Sequence, residues 1–338
     1  MSRRTRALLS DGREILYFDD VDRGRRPWPD ERLLTARALQ GELRTDPLTG
    51  EPVAIAAHRQ TRTHLPDPAE CPLCPGQEVP DPSFDVVAFE NRWPSFTGTA
   101  EGSSLVAAGR CEVLVFTDAH ELRFADLPVS RVRTVVDAWA DRTEALSGLP
   151  DVRHVACFEN RGEQIGVTLQ HPHGQVYGYP FVPPVVAQLV ATARAEPGLY
   201  DRVLSEEGSG PRVVAEDDSW LSYVPYASRY PYELIVMAKR DVSHLEALDS
   251  SERDDLAALL PPLLRSFDRL FDAPCPYIAA WRQSPVSTHD IRLHLRVMSP
   301  QRAAGKLKYL AGSEAGYGAF ISDVAPEQAA DALRSGYA

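Results

Sequence analysis

Apolar residues recur along the chain in two patterns, which together predict a mixture of strands and helices. Short apolar or alternating runs predict strands, and they lie at 53–56, 86–94, 112–116, 154–162 and 291–297. Apolar positions at helical spacing predict helices over 130–147 and 250–271. Further helices are expected after Pro183-Pro184, through about residue 195, and from Pro326, because proline is favoured in the first turn of a helix. These elements indicate an α+β fold.

The first 42 residues differ in composition from the rest of the chain. They are charged and rich in arginine, as in Arg23-Gly24-Arg25-Arg26-Pro27. One short apolar run, Ile15-Leu16-Tyr17-Phe18, is the length of a strand. We therefore predict that residues 1–42 form a peripheral arm.

Segments of the first half recur in the second half. Phe158-Glu159-Asn160 matches Trp281-Arg282-Gln283, and His171-Pro172-His173 matches His294-Leu295-Arg296, both at an offset of 123 residues. Such self-similarity indicates a duplicated structural unit. The repeat predicts two fused units, residues 43–195 and 196–338, and it places Arg296 where the first unit has His173.

Composition and charge narrow the classes of function. The chain has 338 residues and a formal net charge of −12, which argues against nucleic acid as the main partner, since phosphate backbones attract basic surfaces. No apolar run approaches the roughly 20 residues that a membrane-spanning helix needs. An odd number of cysteines, five, does not suggest a disulfide framework. We expect a cytoplasmic protein without a membrane or nucleic-acid partner.

The most unusual stretch is Gln170-His171-Pro172-His173-Gly174-Gln175. The two histidines are one residue apart, and Pro172 cannot donate to a strand ladder, so a strand end is expected there. Neither Gly-x-Ser-x-Gly nor a Walker-type or dinucleotide glycine motif occurs. An imidazole can itself be a nucleophile, and we interpret His173 as one that attacks phosphorus, with Gln175 as an amide donor nearby.

Cys71-Pro72-Leu73-Cys74-Pro75-Gly76 has the spacing of a zinc knuckle. A redox dithiol is the alternative, but it expects a helix that starts inside the motif, which Pro75-Gly76 disfavours. Zinc needs two more ligands, and His120 and His171 are the candidates. Four protein ligands leave no open coordination position. We therefore predict one structural zinc that holds the segment presenting His173.

Taken together, His171-Pro172-His173-Gly174-Gln175 and Cys71-Pro72-Leu73-Cys74 resemble the galactose-1-phosphate uridylyltransferases, the nucleotidyltransferase branch of the histidine-triad superfamily. The resemblance runs from about residue 43 to 335. It implies two fused histidine-triad-like units, each an antiparallel sheet with helices packed on it. It also implies a ping-pong reaction in which His173 takes UMP from UDP-glucose, and galactose 1-phosphate then accepts it.

The resemblance also implies the residues that contact the substrates. Gln175 would hold the transferred phosphoryl group, and nucleotide or sugar-phosphate contacts would come from Arg59, Arg62, Asn91, Asn160, Thr168 and Lys308. Glu314 would contact the hexose, although Ser313 replaces an aromatic residue expected beside it. In the family the two arginines can come from a partner subunit, which implies a homodimer.

A second metal site, present in some members of this family, is not expected here. Two of its histidine positions carry Arg282 and Arg296, and only His294 is left. Two other functions stay open. One is another sugar-1-phosphate nucleotidyltransferase or phosphorylase that uses ADP or GDP. The other is a zinc-stabilised nucleotide-binding protein without catalysis.

Overall fold

In the computed structural model, which describes residues 3–22, 24, 28–34, 41–61, 64–98 and 107–337, short strands alternate with longer helices. The strands are β1 Arg3–Leu8, β2 Glu14–Asp19, β3 Glu42–Thr45, β4 Pro52–Ile55, β5 Val86–Glu90, β6 Arg110–Val115, β7 His154–Arg161, β8 His173–Tyr179, β9 Val213–Glu216, β10 Trp220–Tyr223, β11 Tyr232–Ala238, β12 Tyr277–Arg282, β13 His294–Ser299, β14 Gln301–Ala303 and β15 Lys306–Leu307. The helices are α1 Val129–Ser147, α2 Pro184–Ala195, α3 Leu199–Gly208, α4 Ser250–Arg269 and α5 Pro326–Tyr337. None of these helices has the length and apolar character needed to cross a membrane.

Eleven strands form one sheet in the order β1-β2-β5-β6-β8-β7-β12-β13-β11-β10-β9. Pairing is antiparallel throughout, including the β7–β12 pair that joins the two halves of the chain. Outward from that pair, β7-β8-β6-β5-β2 on one side mirrors β12-β13-β11-β10-β9 on the other. The predicted α+β fold with two fused units is confirmed, and the units share a single sheet. The division at residue 195 stays a prediction.

The helices cover one face of this sheet because their apolar residues repeat at helical spacing. On α1, Val132, Val135, Val136 and Trp139 are buried at positions i, i+3, i+4 and i+7. Trp139 packs edge-on against Trp281, with ring centroids 6.0 Å apart. Helices α1 and α4 thus bury one continuous core that spans both halves.

In the N-terminal segment the strand expected at Ile15–Phe18 is confirmed as part of β2, but the segment is not a peripheral arm in the part that the structure describes. Strands β1 and β2 form a hairpin, and β2 pairs with β5 along Ile15–Phe18. Both faces of β2 are covered, since Leu16 packs in the helix-side core and Tyr17 in the opposite one. Arg13 is buried because Asp11 and Glu78 neutralise its charge at 2.7 and 2.6 Å. This ion pairing allows the residue just before β2 to carry a buried charge.

The duplicated histidine segments align differently from the sequence comparison. We expected Arg296 at the place of His173, but His173 begins β8 and His294 begins β13. Each ring makes the same local contact: His173 Nδ1 lies 2.7 Å from the carbonyl oxygen of His171, and His294 Nδ1 lies 2.8 Å from that of Arg292. His294 is therefore the counterpart of His173, and Arg292 is that of His171.

Backbone contacts of the neighbouring strands support this register. The N–H of Phe116 donates to the carbonyl of Pro172 at 3.1 Å, and the N–H of Ala238 donates to that of Leu293 at the same distance. The sequence comparison was misplaced by two residues because it matched His294 with His171, the first of the two histidines in the first half, and not with His173. Periodicity alone cannot distinguish such a two-residue slip, since it leaves every side chain on the same face.

A buried polar cluster ties the two halves together at the β7–β12 pair. The hydroxyl of Tyr277 on β12 donates to Glu159 on β7 at 3.0 Å. Arg161 lies over the Tyr277 ring, 5.3 Å from its centroid, and pairs with Asp268 of α4 at 2.9 Å. Burial raises the pKa of Glu159 to about 7, although the charge of Arg161 acts in the other direction.

This cluster predicts a pH dependence of stability. The pKa of Glu159 is about 7 in the folded chain against 4.5 for an ordinary glutamate, so folded molecules bind more protons between those values. The free energy of unfolding should therefore fall as pH rises from about 4.5 to 7, by up to about 3 kcal/mol, and level off above. Urea unfolding of Glu159→Gln, which keeps an acceptor for Tyr277, should show a weaker decline. Glu51→Gln, at an exposed carboxylate, should keep the wild-type decline, and equal profiles for both variants would contradict this assignment.

Candidate active site

The Cys-x-x-Cys segment forms a tight turn that directs both thiols to one point. The N–H of Cys74 donates to the carbonyl of Cys71 at 3.2 Å, and that of Gln77 donates to the carbonyl of Cys74. Gly76 follows with a φ of +79°, a conformation that glycine adopts without strain. The turn therefore has the geometry of a metal-binding knuckle, and no helix starts inside it.

Two histidines complete a group of four potential ligands. The candidate ligand atoms of Cys71, Cys74, His120 and His171 all lie within 4.8 Å of one another. The Cys74 sulfur lies 3.4 Å from Nδ1 of His120 and 3.6 Å from Nδ1 of His171. Ligand atoms around tetrahedral zinc are roughly 3.3–3.8 Å apart, given Zn–S and Zn–N bonds near 2.3 and 2.1 Å. This Cys2His2 donor set fits such an ion.

The second ring nitrogen of His171 fixes its orientation. Nε2 lies 2.7 Å from the carbonyl oxygen of Thr117, so it carries the proton and donates, which leaves Nδ1 as the ligand atom. Burial lowers the pKa of His171 to about 4. A neutral ring is the form that binds metals.

His173 stands immediately beyond this anchored residue, at the start of β8. Its Nδ1 lies 2.7 Å from the His171 carbonyl oxygen and donates to it, so the lone pair is on Nε2. Burial lowers the pKa of His173, which keeps the ring neutral. Gly174 follows, and a Cβ there would lie 2.8 Å from the Phe116 ring and 2.9 Å from the Phe158 carbonyl oxygen. Only glycine lets β8 pack so closely at this point.

Gln175 lies two residues along β8 from His173, on the same face. The hydroxyl of Tyr177 donates to Oε1 of Gln175 at 2.8 Å. Because this contact occupies Oε1 and fixes the orientation of the amide, the NH₂ group of Gln175 remains available to donate to another group. The sequence reasoning missed Tyr177, although its alternation with His173 and Gln175 on β8 was a signal for it.

Two cavities flank His173. The larger, of about 440 Å³, is lined by Asn160 together with Arg123, Arg161 and the loop over 162–170. The smaller, of about 100 Å³, is lined by Arg59, Asn91, Thr168 and Gln175. The structure therefore brings five residues that the family resemblance implies to the two sides of one imidazole.

Contacts around the smaller cavity hold its lining in place. Oδ1 of Asn91 accepts the N–H of Trp93 at 2.8 Å. The guanidinium of Arg59 donates to the carbonyl of Trp93. The segment after β5 and the segment after β4 thus meet at Trp93, a link that spacing along the chain could not indicate.

Two other expected residues are not placed beside His173, and a third lies outside the described residues. Lys308 and Glu314 pair with each other at 3.0 Å and line neither of the two cavities. Arg62 lies outside the described residues. Within one chain, the tail segment is therefore separate from the cavities.

Comparison with known proteins places this site in a family. The model for the N-terminal domain of galactose-1-phosphate uridyl transferase matches residues 32–183, and that for the C-terminal domain matches residues 191–335. The galactose-1-phosphate uridylyltransferase of Streptomyces lividans is 42% identical, over 98% of this chain and 97% of that protein. The enzyme of the same name from Thermotoga maritima is 35% identical, over 87% and 98%.

A solved structure of a uridylyltransferase has the same architecture. It superposes with a TM-score of 0.80 at 30% identity and covers 88% of this chain and 98% of its own. Both family domains and the fold are thus shared. This chain belongs to the galactose-1-phosphate uridylyltransferase family.

Proposed function

We propose that this protein transfers UMP from UDP-glucose to galactose 1-phosphate through a covalent uridylyl-His173 intermediate. The observation that carries the proposal is the neutral His173 ring, whose Nδ1 donates to the His171 carbonyl and whose Nε2 keeps a lone pair between two cavities. The name of its relatives, galactose-1-phosphate uridylyltransferase, supplies the acceptor and the transferred group, and UDP-glucose is the donor that the sequence resemblance implies.

The reaction divides into two displacements at one phosphorus. Nε2 of His173 attacks the α-phosphorus of UDP-glucose, the bond from that phosphorus to the bridging oxygen breaks, and glucose 1-phosphate leaves with the electron pair. A phosphate oxygen of galactose 1-phosphate then attacks the uridylyl group and the P–N bond breaks, which restores the lone pair of His173 and yields UDP-galactose. Covalent catalysis of this kind replaces one difficult step by two easier ones.

Donors around His173 would stabilise the charge on the transferred group. The Gln175 amide, oriented by Tyr177, and Asn160 on the other side suit the non-bridging oxygens. Arg59, Asn91 and Thr168 would bind the nucleotide in the smaller cavity. Positioning of this kind accounts for most of the catalysis of phosphoryl-type transfer.

Removal of the nucleophile tests the mechanism. Wild-type protein mixed with UDP-glucose should gain one uridylyl group per chain in an intact-mass measurement, and His173→Gly should gain none. Exchange activity of the variant should fall at least about a thousandfold. His64→Gly, at an exposed position, serves as the control and should behave as wild type. Labelling by ADP-glucose or GDP-glucose instead of UDP-glucose would reassign the donor, and full activity of His173→Gly would exclude the covalent route.

Tyr177 should act as a positioning residue. Tyr177→Phe removes the donor to Gln175, so the amide can turn and lose its contact with the transferred group. We expect the rate of transfer to fall roughly tenfold, which corresponds to one hydrogen bond, with a smaller change in KM for UDP-glucose. Tyr179→Phe makes the same substitution two residues further along β8, on the same face, and should have little effect. An equal loss in both variants would point to packing and not to orientation of Gln175.

We also propose that the Cys2His2 group holds one structural zinc ion. Four protein ligands leave no coordination position for a substrate, so the ion would act by fixing His171, whose carbonyl oxygen in turn orients His173. Cys71 and His171 are buried. Two thiols and two imidazoles form a donor set that suits zinc, and the two distances from the Cys74 sulfur, 3.4 and 3.6 Å, fit its coordination.

Loss of one ligand tests this metal site. Cys74→Ser should contain less than about one tenth of the wild-type zinc and should unfold at a lower temperature, because metal binding contributes directly to folding. Cys275→Ser, at a buried thiol beside Ser299, should keep one equivalent of zinc. Wild-type protein free of zinc by elemental analysis, or Cys74→Ser with full occupancy, would contradict the proposal.

The proposed protein is a homodimer and is located in the cytoplasm. A homodimer is supported by the exposed apolar side chains of the β3–β4 hairpin, among them Leu48, Val53 and Ile55. A cytoplasmic location is supported by the free thiols of all five cysteines.

A further inference from the structure

The second half carries two arginines and a histidine at the positions that correspond to His173 and its neighbours in the first half. Arg282 on β12 lies directly opposite His294 on β13. Arg296 follows two residues after His294 and therefore lies on the same face of the sheet. Like His173 in the first half, His294 stands at the start of its strand.

The strand register assigns a first-half counterpart to each arginine. His294 corresponds to His173, so Arg296 corresponds to Gln175. The pairs between β7 and β8 run as far as Phe158 opposite Gln175, and two residues further along, Asn160 comes opposite His173. Arg282, opposite His294, therefore corresponds to Asn160. Two neutral amides beside the nucleophile are replaced by two guanidinium groups.

Carboxylates nearby do not balance these charges. Glu233 is fully buried and accepts from Arg296, and its other oxygen accepts the N–H of Arg229 at 2.7 Å. The buried Nε of Arg282 has no hydrogen-bond partner in the described residues. Burial and the neighbouring Arg296 lower the pKa of Arg282 to about 10. A buried nitrogen of a cation that lacks a hydrogen-bond acceptor is costly, so this partly buried guanidinium calls for an anion.

His294 is neutral and contributes a hydrogen-bond acceptor to this group. It is buried, and burial together with the two arginines lowers its pKa to about 3. Its Nδ1 donates to the Arg292 carbonyl, so Nε2 keeps a lone pair, as in His173. That lone pair can accept from the O–H of a hydrogen phosphate ion or a singly protonated phosphate monoester.

We propose that Arg282, Arg296 and His294 form a binding site for a phosphate group, at the second-half counterpart of the catalytic phosphate position. The comparison with the first half rests on the proposed function, whereas the excess of positive charge does not. Paired guanidinium groups suit phosphate oxygens. The ligand is inorganic phosphate or a phosphate monoester, and no group transfer is expected there.

Thermal unfolding with and without phosphate tests this site. With phosphate at about ten times its dissociation constant, and ionic strength matched with potassium chloride, the unfolding temperature of the wild type should rise by about 2 °C. The rise should persist in Asn160→Ala, which weakens the first site, and should vanish when Arg282→Gln is added to that variant. Arg302→Gln, at an exposed arginine, should keep it. The same titration with galactose 1-phosphate on Asn160→Ala distinguishes a monoester site, which responds, from one that takes only the free ion.

Two results would overturn the proposal. One is a full rise when Arg282→Gln is added to Asn160→Ala, and the other is loss of the rise in Asn160→Ala alone, which would confine phosphate to the catalytic site. If Arg282→Gln does not fold, wild-type crystals soaked in arsenate decide the question, because the anomalous signal of arsenic should appear beside Arg282. A signal beside His173 only would exclude the second site. Uridylyl labelling of the wild type is measured separately, so failure of either proposal leaves the other intact.

Discussion

The contact between Nδ1 of His173 and the carbonyl oxygen of His171 is the constraint on which the site depends. It joins His171, one of the four potential metal ligands, with His173, whose Nε2 has a lone pair to donate. A carbonyl can only accept, so it fixes the tautomer and leaves Nε2 unprotonated. Because His171 is itself held through Thr117 and by its place among the ligands, the position of Nε2 depends on a rigid chain of contacts and not on a flexible loop.

The same local geometry occurs at His294 and has a different consequence there. Its Nδ1 donates to the carbonyl of Arg292, but Arg292 replaces His171, one of the four potential metal ligands, and pairs with Asp201 at 2.7 Å. The duplicated unit thus keeps the backbone that orients an imidazole while its surroundings have changed. Burial of His294 and the arginines beside it suppress its basicity, so the retained geometry does not imply a retained reaction.

Much of the fold could be predicted from the sequence, for reasons that particular residues make clear. Helix α1 was predictable because Val132, Val135, Val136 and Trp139 repeat at helical spacing. The N-terminal hairpin was not, because the burial of Arg13 depends on Glu78, which is distant along the chain. The correspondence of His294 to His173 was also missed. A two-residue slip preserves the alternation of faces, so only the hydrogen bonds between strands distinguish the two alignments.

The candidate site shows the same division between local and distant information. The Cys-x-x-Cys turn and the histidine pair are local, so their residue types and spacing alone indicated a metal site and a nucleophile. Tyr177 acts through Gln175 on the same strand, and alternation could have identified it. The meeting of Arg59 with Trp93 depends on how two loops pack, which no spacing encodes. Residues that position the reacting groups can therefore be predicted from the sequence when they lie on one strand. When they come from two segments that pack together, only the structure identifies them.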